Sequence, residues 1–307
     1  WLLQRDGKPV NGRALDLSKP EVASWCESEI ARCIEQYDLD MYRIDHNHTM
    51  SPSGNRVVEG LTEDVMWRYY DNFCALFERL QKRYPAVVFQ NCAGGGGRLD
   101  WGTLHRFDNT EPSDTMRQPA GLKLMNGLTH SLPPEIMLRA FGTEAGGMEL
   151  EADLDSQLRL AFLFRPILRG IAPDLESLAP ALRDRLTHHV ALFKSTIRPV
   201  LLDGRTYHHT PIIPRHDKSS WLVLEYGATD RRAGIAGLFR INPEGPDVYP
   251  FKPRGLDASL TYEVTLDSAG QTLRRSGWDL MQDGLAIRLE HNLSSELVLF
   301  KALSRKG

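Results

Sequence analysis

The chain has 307 residues, 41% hydrophobic and 25% charged, with a formal charge of −3 at pH 7. That is an ordinary globular composition, long enough for one large domain or a large and a small one. The slightly acidic balance gives no electrostatic case for nucleic acid or an anionic membrane surface as partner, and no run of about 18 apolar residues is present to span a bilayer.

In chain order, Ser18 and Glu21 stand at capping-box spacing, and Val22, Cys26, Ile30, Ile34 and Tyr37 recur at helical period. This predicts a helix over 18–37. Met41 to Asp45 reads as a strand. The stretch 62–85 reads as a second helix, with acids in its first turn, Lys82 and Arg83 in its last and Pro85 as the stop. Ala86 to Asn91 is apolar and rich in β-branched and aromatic residues, so it reads as a buried strand. Helix and strand in alternation predict a parallel sheet with βαβ crossovers, either doubly wound or closed into a barrel. Both place ligands at the carboxyl ends of the strands.

Further helical stretches are expected over 154–169 and 179–199. Beyond about residue 203 the texture changes. Leu260, Tyr262, Val264 and Leu266 alternate with Thr261, Glu263 and Thr265; the runs 285–290 and 295–300 look similar, and 245–255 is turn-rich. That predicts an all-β module, most simply an antiparallel sandwich. Cys26, Cys33, Cys74 and Cys92 show no Cys-x-x-Cys spacing. Free thiols in a reducing compartment, hence a cytoplasmic location, are expected over disulfides or a zinc site.

Strand ends are where chemistry is sought. Arg43-Ile44-Asp45 places Asp45 at the carboxyl edge with Arg43 on the same side of the strand. The second strand ends in Asn91 and Cys92, followed after Ala93 by four consecutive glycines, Gly94 to Gly97. Such a run marks either a flexible turn or a place where a ligand or another backbone approaches closely. Two phosphate-binding motifs fail on the letters. Arg98 and Leu99 stand where a P-loop needs Lys and Ser or Thr, and Leu99 where a dinucleotide fingerprint needs Gly. Residues 107–115 then supply Asp108, Glu111 and Asp114.

Glycosidic bond cleavage uses two carboxyl groups, one protonated and one ionised. A cation beside the nucleophile keeps it ionised, while burial raises the pKa of its partner. Arg43 beside Asp45 fits the first condition. Asp45 would equally serve as a cap for the next segment or as half of a solvated ion pair. His46 and His48 form a His-x-His at a strand end and fit two ligands of a metal-dependent barrel hydrolase, which would need further ligands. His188 and His189 fall in a predicted helix, where packing or solvent explains them.

Three motifs in order, Arg-Ile-Asp-His-Asn-His (43–48), Cys-Ala-Gly-Gly-Gly-Gly-Arg-Leu-Asp (92–100) and Pro-Ser-Asp-Thr (112–115), resemble those of the α-galactosidases of glycoside hydrolase family 36, the melibiase group. The segment 12–22 is similar to the one that precedes the family's nucleophile strand, and the likeness runs from about residue 1 to 200. The resemblance implies an α/β fold: a partial TIM-type β/α barrel over 1–203, followed by an antiparallel β-sandwich over 204–307. It also implies the C-terminal portion of a longer enzyme, without that enzyme's N-terminal domain and first barrel strands. The implied activity is that of a retaining, exo-acting α-galactosidase cutting terminal α-D-galactosides from oligosaccharides by double displacement. No metal or other cofactor is expected, and a homo-oligomer is compatible with it.

Carried across by residue, Asp45 is the nucleophile and Asp114 the general acid/base. Arg43 stands at the family's sugar-binding Lys. Cys92, Gly94, Gly95 and Arg98 lie against the substrate, so a pyranose ring would be what the glycines admit. This chain departs from the pattern at several positions. Arg replaces Lys at 43, His46 and His48 replace Met and Arg, and Glu111 and Pro112 replace Trp and Thr. Those changes keep open an α-N-acetylgalactosaminidase or galactosaminidase. A non-catalytic sugar-binding protein is a further alternative, against which the presence of both Asp45 and Asp114 speaks.

Overall fold

The computed structural model describes residues 1–10, 13–48, 50, 53–115, 117–142, 152–169, 176 and 178–304. The chain divides into two compact units, Trp1–Asp114 and Thr115–Gly307.

The first unit opens with a small hairpin, β1 (Gln4–Arg5) and β2 (Lys8–Pro9). Helix α1 (Pro20–Tyr37) starts on a proline, whose missing N–H would have had no helical partner there. The expected capping box does not form. Lys19 occupies the cap position, and the Ser18 hydroxyl, outside the helix, donates to Asp16 at 2.5 Å. Strand β3 (Met41–Ile44) follows as expected.

Next comes an antiparallel hairpin, β4 (Asn55–Val58) and β5 (Leu61–Asp64). Thr62, Glu63 and Asp64, expected in the first turn of the second helix, are therefore strand residues. Pairing decides the matter: Arg56 sits opposite Glu63 and its Nε donates to that carboxylate at 2.9 Å. Helix α2 (Met66–Arg83) begins just after, its first amide donating to Asp64 Oδ1 at 2.9 Å.

Strand β6 (Val88–Asn91), the single turn α3 (Trp101–Leu104) and the short β7 (Asn109–Thr110) complete the unit. β3, β6 and β7 form a parallel sheet with Ile44 opposite Asn91 and Asn91 opposite Thr110. Phe73 and Phe77 of α2 and Phe89 of β6 are buried together with Phe107, against Val22, Ala31 and Ile34 of α1. Aromatic side chains of this size contribute most of the apolar area in such a core. Fixing the helices to the sheet leaves the carboxyl ends of three parallel strands together at one edge.

The second unit begins with α4 (Ala120–Leu128), a 3₁₀ turn (Pro134–Ile136) and β8 (Leu138–Phe141). The stretch expected as one helix over 154–169 is a helix and a strand, α5 (Leu154–Phe162) and β9 (Arg165–Leu168). β9 pairs in parallel with β8, Leu138 lying opposite Arg165. Leu160 to Phe164 are all buried, so the helix's end shows no polar break that periodicity could detect. Helix α6 (Pro180–Leu192) passes through a π turn (Phe193–Ile197) into α7 (Arg198–Asp203).

The β-rich part starts at Gly204, where the sequence places it. Its strands are β10 (Gly204–His208), β11 (Trp221–Ala228), β12 (Ala233–Arg240), β13 (Val248–Phe251), β14 (Thr261–Leu266) and β15 (Gln271–Ser276). A short α8 (Gly277–Gln282) leads to β16 (Leu285–Arg288) and β17 (Ser294–Ala302). Six of them form one antiparallel sheet, in the order β10-β11-β12-β17-β14-β15, and β13 pairs with β16 in a separate ribbon. The segment 245–255, read as turns, thus contains a strand, and Pro250 is accommodated because the ribbon has only two strands. Val223, Leu238, Val264 and Phe300 of the large sheet share a core with Phe251 and Ile287 of the ribbon. Helices α5 and α7 pack on the large sheet as well. Among the described residues no helix is long and apolar enough to cross a membrane.

Candidate active site

Asp45 immediately follows β3 and stands at the carboxyl edge of the parallel sheet. Its Oδ1 accepts the Gly94 N–H at 3.1 Å. Arg43 Nη2 lies 3.5 Å from its Oδ2, close enough for charge but without a hydrogen bond. Partial burial disfavours the charged carboxylate. The amides of Gly94 and His46, the Cys92 thiol and the Arg43 guanidinium outweigh that effect and hold its pKa below the ordinary carboxylate value. The group is set to be an anion.

Arg43 serves three neighbours at once. Its Nη1 pairs with Glu111 Oε2 at 2.7 Å, and its Nη2 donates to Cys92 Sγ at 3.2 Å as well as facing Asp45. Glu111 is 2% exposed and follows β7 directly, its own N–H donating to Asn91 O at 3.0 Å. Sequence reasoning gave Glu111 no role beyond a carboxylate in an acidic stretch. The signal available was a charge match, an added acid in the third motif accompanying an Arg in the first.

Asn91 and Cys92 are buried at the end of β6. Asn91 Nδ2 donates to Arg98 O at 2.7 Å and to Thr110 Oγ1 at 3.0 Å, tying the glycine loop to β7. Burial pushes the Cys92 thiol up, against the opposing effect of the Gly95 amide and Arg43. Arg98 is itself buried, with Nη2 donating to Cys92 O at 2.7 Å and its guanidinium 5.1 Å from the centre of the Phe73 ring. It braces the loop from behind as well as lining the adjoining cleft.

The glycines divide by what they face. Gly94 has φ +54°, which favours glycine, and a side-chain carbon there would meet Asn47 at an ordinary 3.5 Å and His46 O at 4.0 Å. Gly95 has φ +73°, and a Cβ would lie 2.7 Å from Asp114 N and 2.8 Å from Ser113 Cα. At Gly96 it would lie 2.3 Å from Pro112 O. The expectation that a ligand is what excludes a side chain at Gly95 is corrected: the chain's own backbone at 112–114 fills that space. The loop therefore positions Asp114 directly.

Asp114 itself is exposed, not enclosed as expected of the acid. Asp108 is occupied otherwise, its Oδ2 accepting the Phe89 N–H at 2.7 Å. A cleft of about 550 Å³ adjoins the loop, lined among others by His46, His48, Tyr69, Tyr70, Gly94 and Arg98. The rings of His46 and His48 pack edge to face with centroids 6.0 Å apart. Among the described residues no group of three or more His, Cys, Asp or Glu is placed to hold a metal ion. His189 packs in the second unit at 0% exposure, and His188 Nε2 bonds Asp267 at 2.6 Å. All four cysteines are free.

The edge of the parallel sheet thus bears a carboxylate held as an anion, a guanidinium beside it and a glycine loop packed against the backbone of a second acidic residue. The chain belongs to the Melibiase family, whose model matches residues 1–204. It is 26% identical over 317 aligned positions to the probable α-galactosidase C of Aspergillus terreus, covering 99% of this chain and 39% of that protein. With α-galactosidase 2 of Pediococcus pentosaceus it shares 24% identity, over 94% of this chain and 39% of the relative. The chain thus spans about two-fifths of the length of these curated relatives. Among solved structures, the α-galactosidase of Lactobacillus brevis superposes with a TM-score of 0.83 at 22% identity, over 100% of this chain and 42% of that one. The GH36 α-galactosidase AgaA of Geobacillus stearothermophilus gives 0.82 at 21% identity, over 99% and 42%. At these identities the structures establish a shared fold.

Proposed function

We propose that this chain carries both catalytic carboxylates of a retaining, exo-acting α-galactosidase that releases terminal α-D-galactose from oligosaccharides. The observation that carries the reading is the state of Asp45: an anion at a strand end, one oxygen held by the Gly94 amide and the other free of hydrogen bonds from Arg43. In this reading β3, β6 and β7 and the β8–β9 pair are strands of a β/α barrel over 1–203, and the six-stranded sheet with its ribbon is a β-sandwich over 204–307. The named α-galactosidases among the relatives support it, as does the AgaA variant solved in complex with raffinose.

Asp45 Oδ2 attacks the anomeric carbon while Asp114 gives its proton to the departing glycosidic oxygen. A covalent galactosyl ester of inverted configuration forms. Asp114, now a carboxylate, takes a proton from water, which attacks the same carbon and expels Asp45. Two inversions return the α configuration. Arg43, Cys92, Gly94 and Arg98 form the wall against which the sugar is held, with Gly95 turned instead to the backbone of Ser113 and Asp114, and neither step needs a metal or other cofactor. Proton NMR of the first-formed sugar, with full-length enzyme and an aryl α-galactoside, tests the scheme. α-Galactose appearing first is expected; β-galactose first would rule out these roles. Parallel trials on α-galactosaminides and α-N-acetylgalactosaminides place the 2-substituent.

A further inference from the structure

Arg43 lies between two carboxylates and treats them differently. It bonds Glu111 at 2.7 Å and stays 3.5 Å from Asp45, although the same guanidinium reaches both. Glu111 is fixed and buried, whereas the Asp45 side chain is 32% exposed and shares itself with water. Charge attracts more strongly in the less polar surroundings, so Glu111 wins the closer contact. A buried carboxylate also requires its cation far more than an exposed one does.

We propose that Glu111 is a positioning residue: it draws Arg43 away from the nucleophile, so that the guanidinium lends Asp45 its charge without tying up the oxygen that attacks. The inference rests on the double-displacement reading above. Released from Glu111, the planar fork of Arg43 would close on Asp45 as a bidentate pair at about 2.7–2.9 Å. Both carboxylate oxygens would then be donors' partners, and the lone pair that must reach the anomeric carbon would be engaged. An ammonium at the same place is a point charge and cannot span both oxygens.

The test uses full-length enzyme with Glu111→Ala, and Glu111→Gln in case the smaller side chain compromises folding. Crystal structures of the variants should show Arg43 within hydrogen-bond distance of Asp45 Oδ2. The rate of galactosylation should fall about 10- to 100-fold, as expected when a charged hydrogen bond is redirected, with KM nearly unchanged. Adding Arg43→Lys to Glu111→Ala should recover part of the loss, although Arg43→Lys alone lowers activity. Arg43 unmoved in both variants, a rate within threefold of wild type, or losses that simply multiply in the double variant would overturn the proposal. A wild-type enzyme that cleaves no α-galactoside would instead overturn the functional reading on which it stands.

Discussion

Replacing Gly95 with alanine is the smallest change that separates a sugar-facing loop from a loop that holds the acid. The added Cβ would lie 2.7 Å from Asp114 N, whereas ordinary contact begins at 3.4 Å, so Ser113 and Asp114 must retreat by about 0.7 Å. Misplacing a catalytic group by about 1 Å costs on the order of 10² in rate. The φ of +73° adds strain of about 1–2 kcal/mol for any residue with a Cβ. The expected result is therefore a moderately destabilised enzyme whose kcat/KM falls about 10²-fold on substrates that need protonation of the leaving group. Aryl α-galactosides spanning a range of leaving-group acidity provide the assay, with urea unfolding as the stability control. The most activated aryl substrates should lose least, because they depart without help. An equal loss across the series, or a loss confined to KM, would refute the claim that Gly95 acts through Asp114.

Asp114→Asn should cost about 10²–10⁴ on poor leaving groups, less on activated ones, with azide restoring part of the turnover; Asp45→Gly should abolish turnover of every substrate. A rate on poor leaving groups that survives Asp114→Asn would remove it as the acid. In the second unit, burial opposes the charge of Asp155, but hydrogen bonds from His189 and from Arg185 at 2.6 Å outweigh it and depress its pKa far below the ordinary range. A depressed carboxyl contributes stability that is full above its unfolded pKa and lost as pH falls towards the folded one. Asp155→Asn should therefore lower the unfolding free energy at pH 7 and flatten its decline below about pH 4. A variant whose urea-unfolding free energy declines as steeply as wild type would show that Asp155 does not carry that acid sensitivity.

What the letters disclosed follows short-range rules. The strands ending at Ile44 and Asn91, the change of texture at Gly204 and the alternation over 260–266 were all legible, because each depends on residues within a few positions of one another. The errors share a cause. Thr62–Asp64 look helical until Arg56 is seen across the hairpin, and 165–168 read as helix until β8 is found beside it. Strand pairing over distance overrides local propensity.

The site divides in the same way. Asp45 is proposed from its place at a strand end, whereas Asp114, Cys92 and the glycines are singled out only by the resemblance of three motifs, in order, to those of a family. Motif order does not reveal that Gly95 is pressed against Asp114, that Asp114 is exposed, or that Arg43 lies closer to a buried Glu111 than to Asp45. Arg43 and Glu111 are far apart along the chain, and they meet only because β3, β6 and β7 lie parallel, side by side, and deliver their ends to one edge. Propensity and motif spacing act along the chain, whereas charge and steric exclusion act across space. The identity of the chemical groups was therefore a property of the sequence, and their mutual constraint a property of the packed sheet.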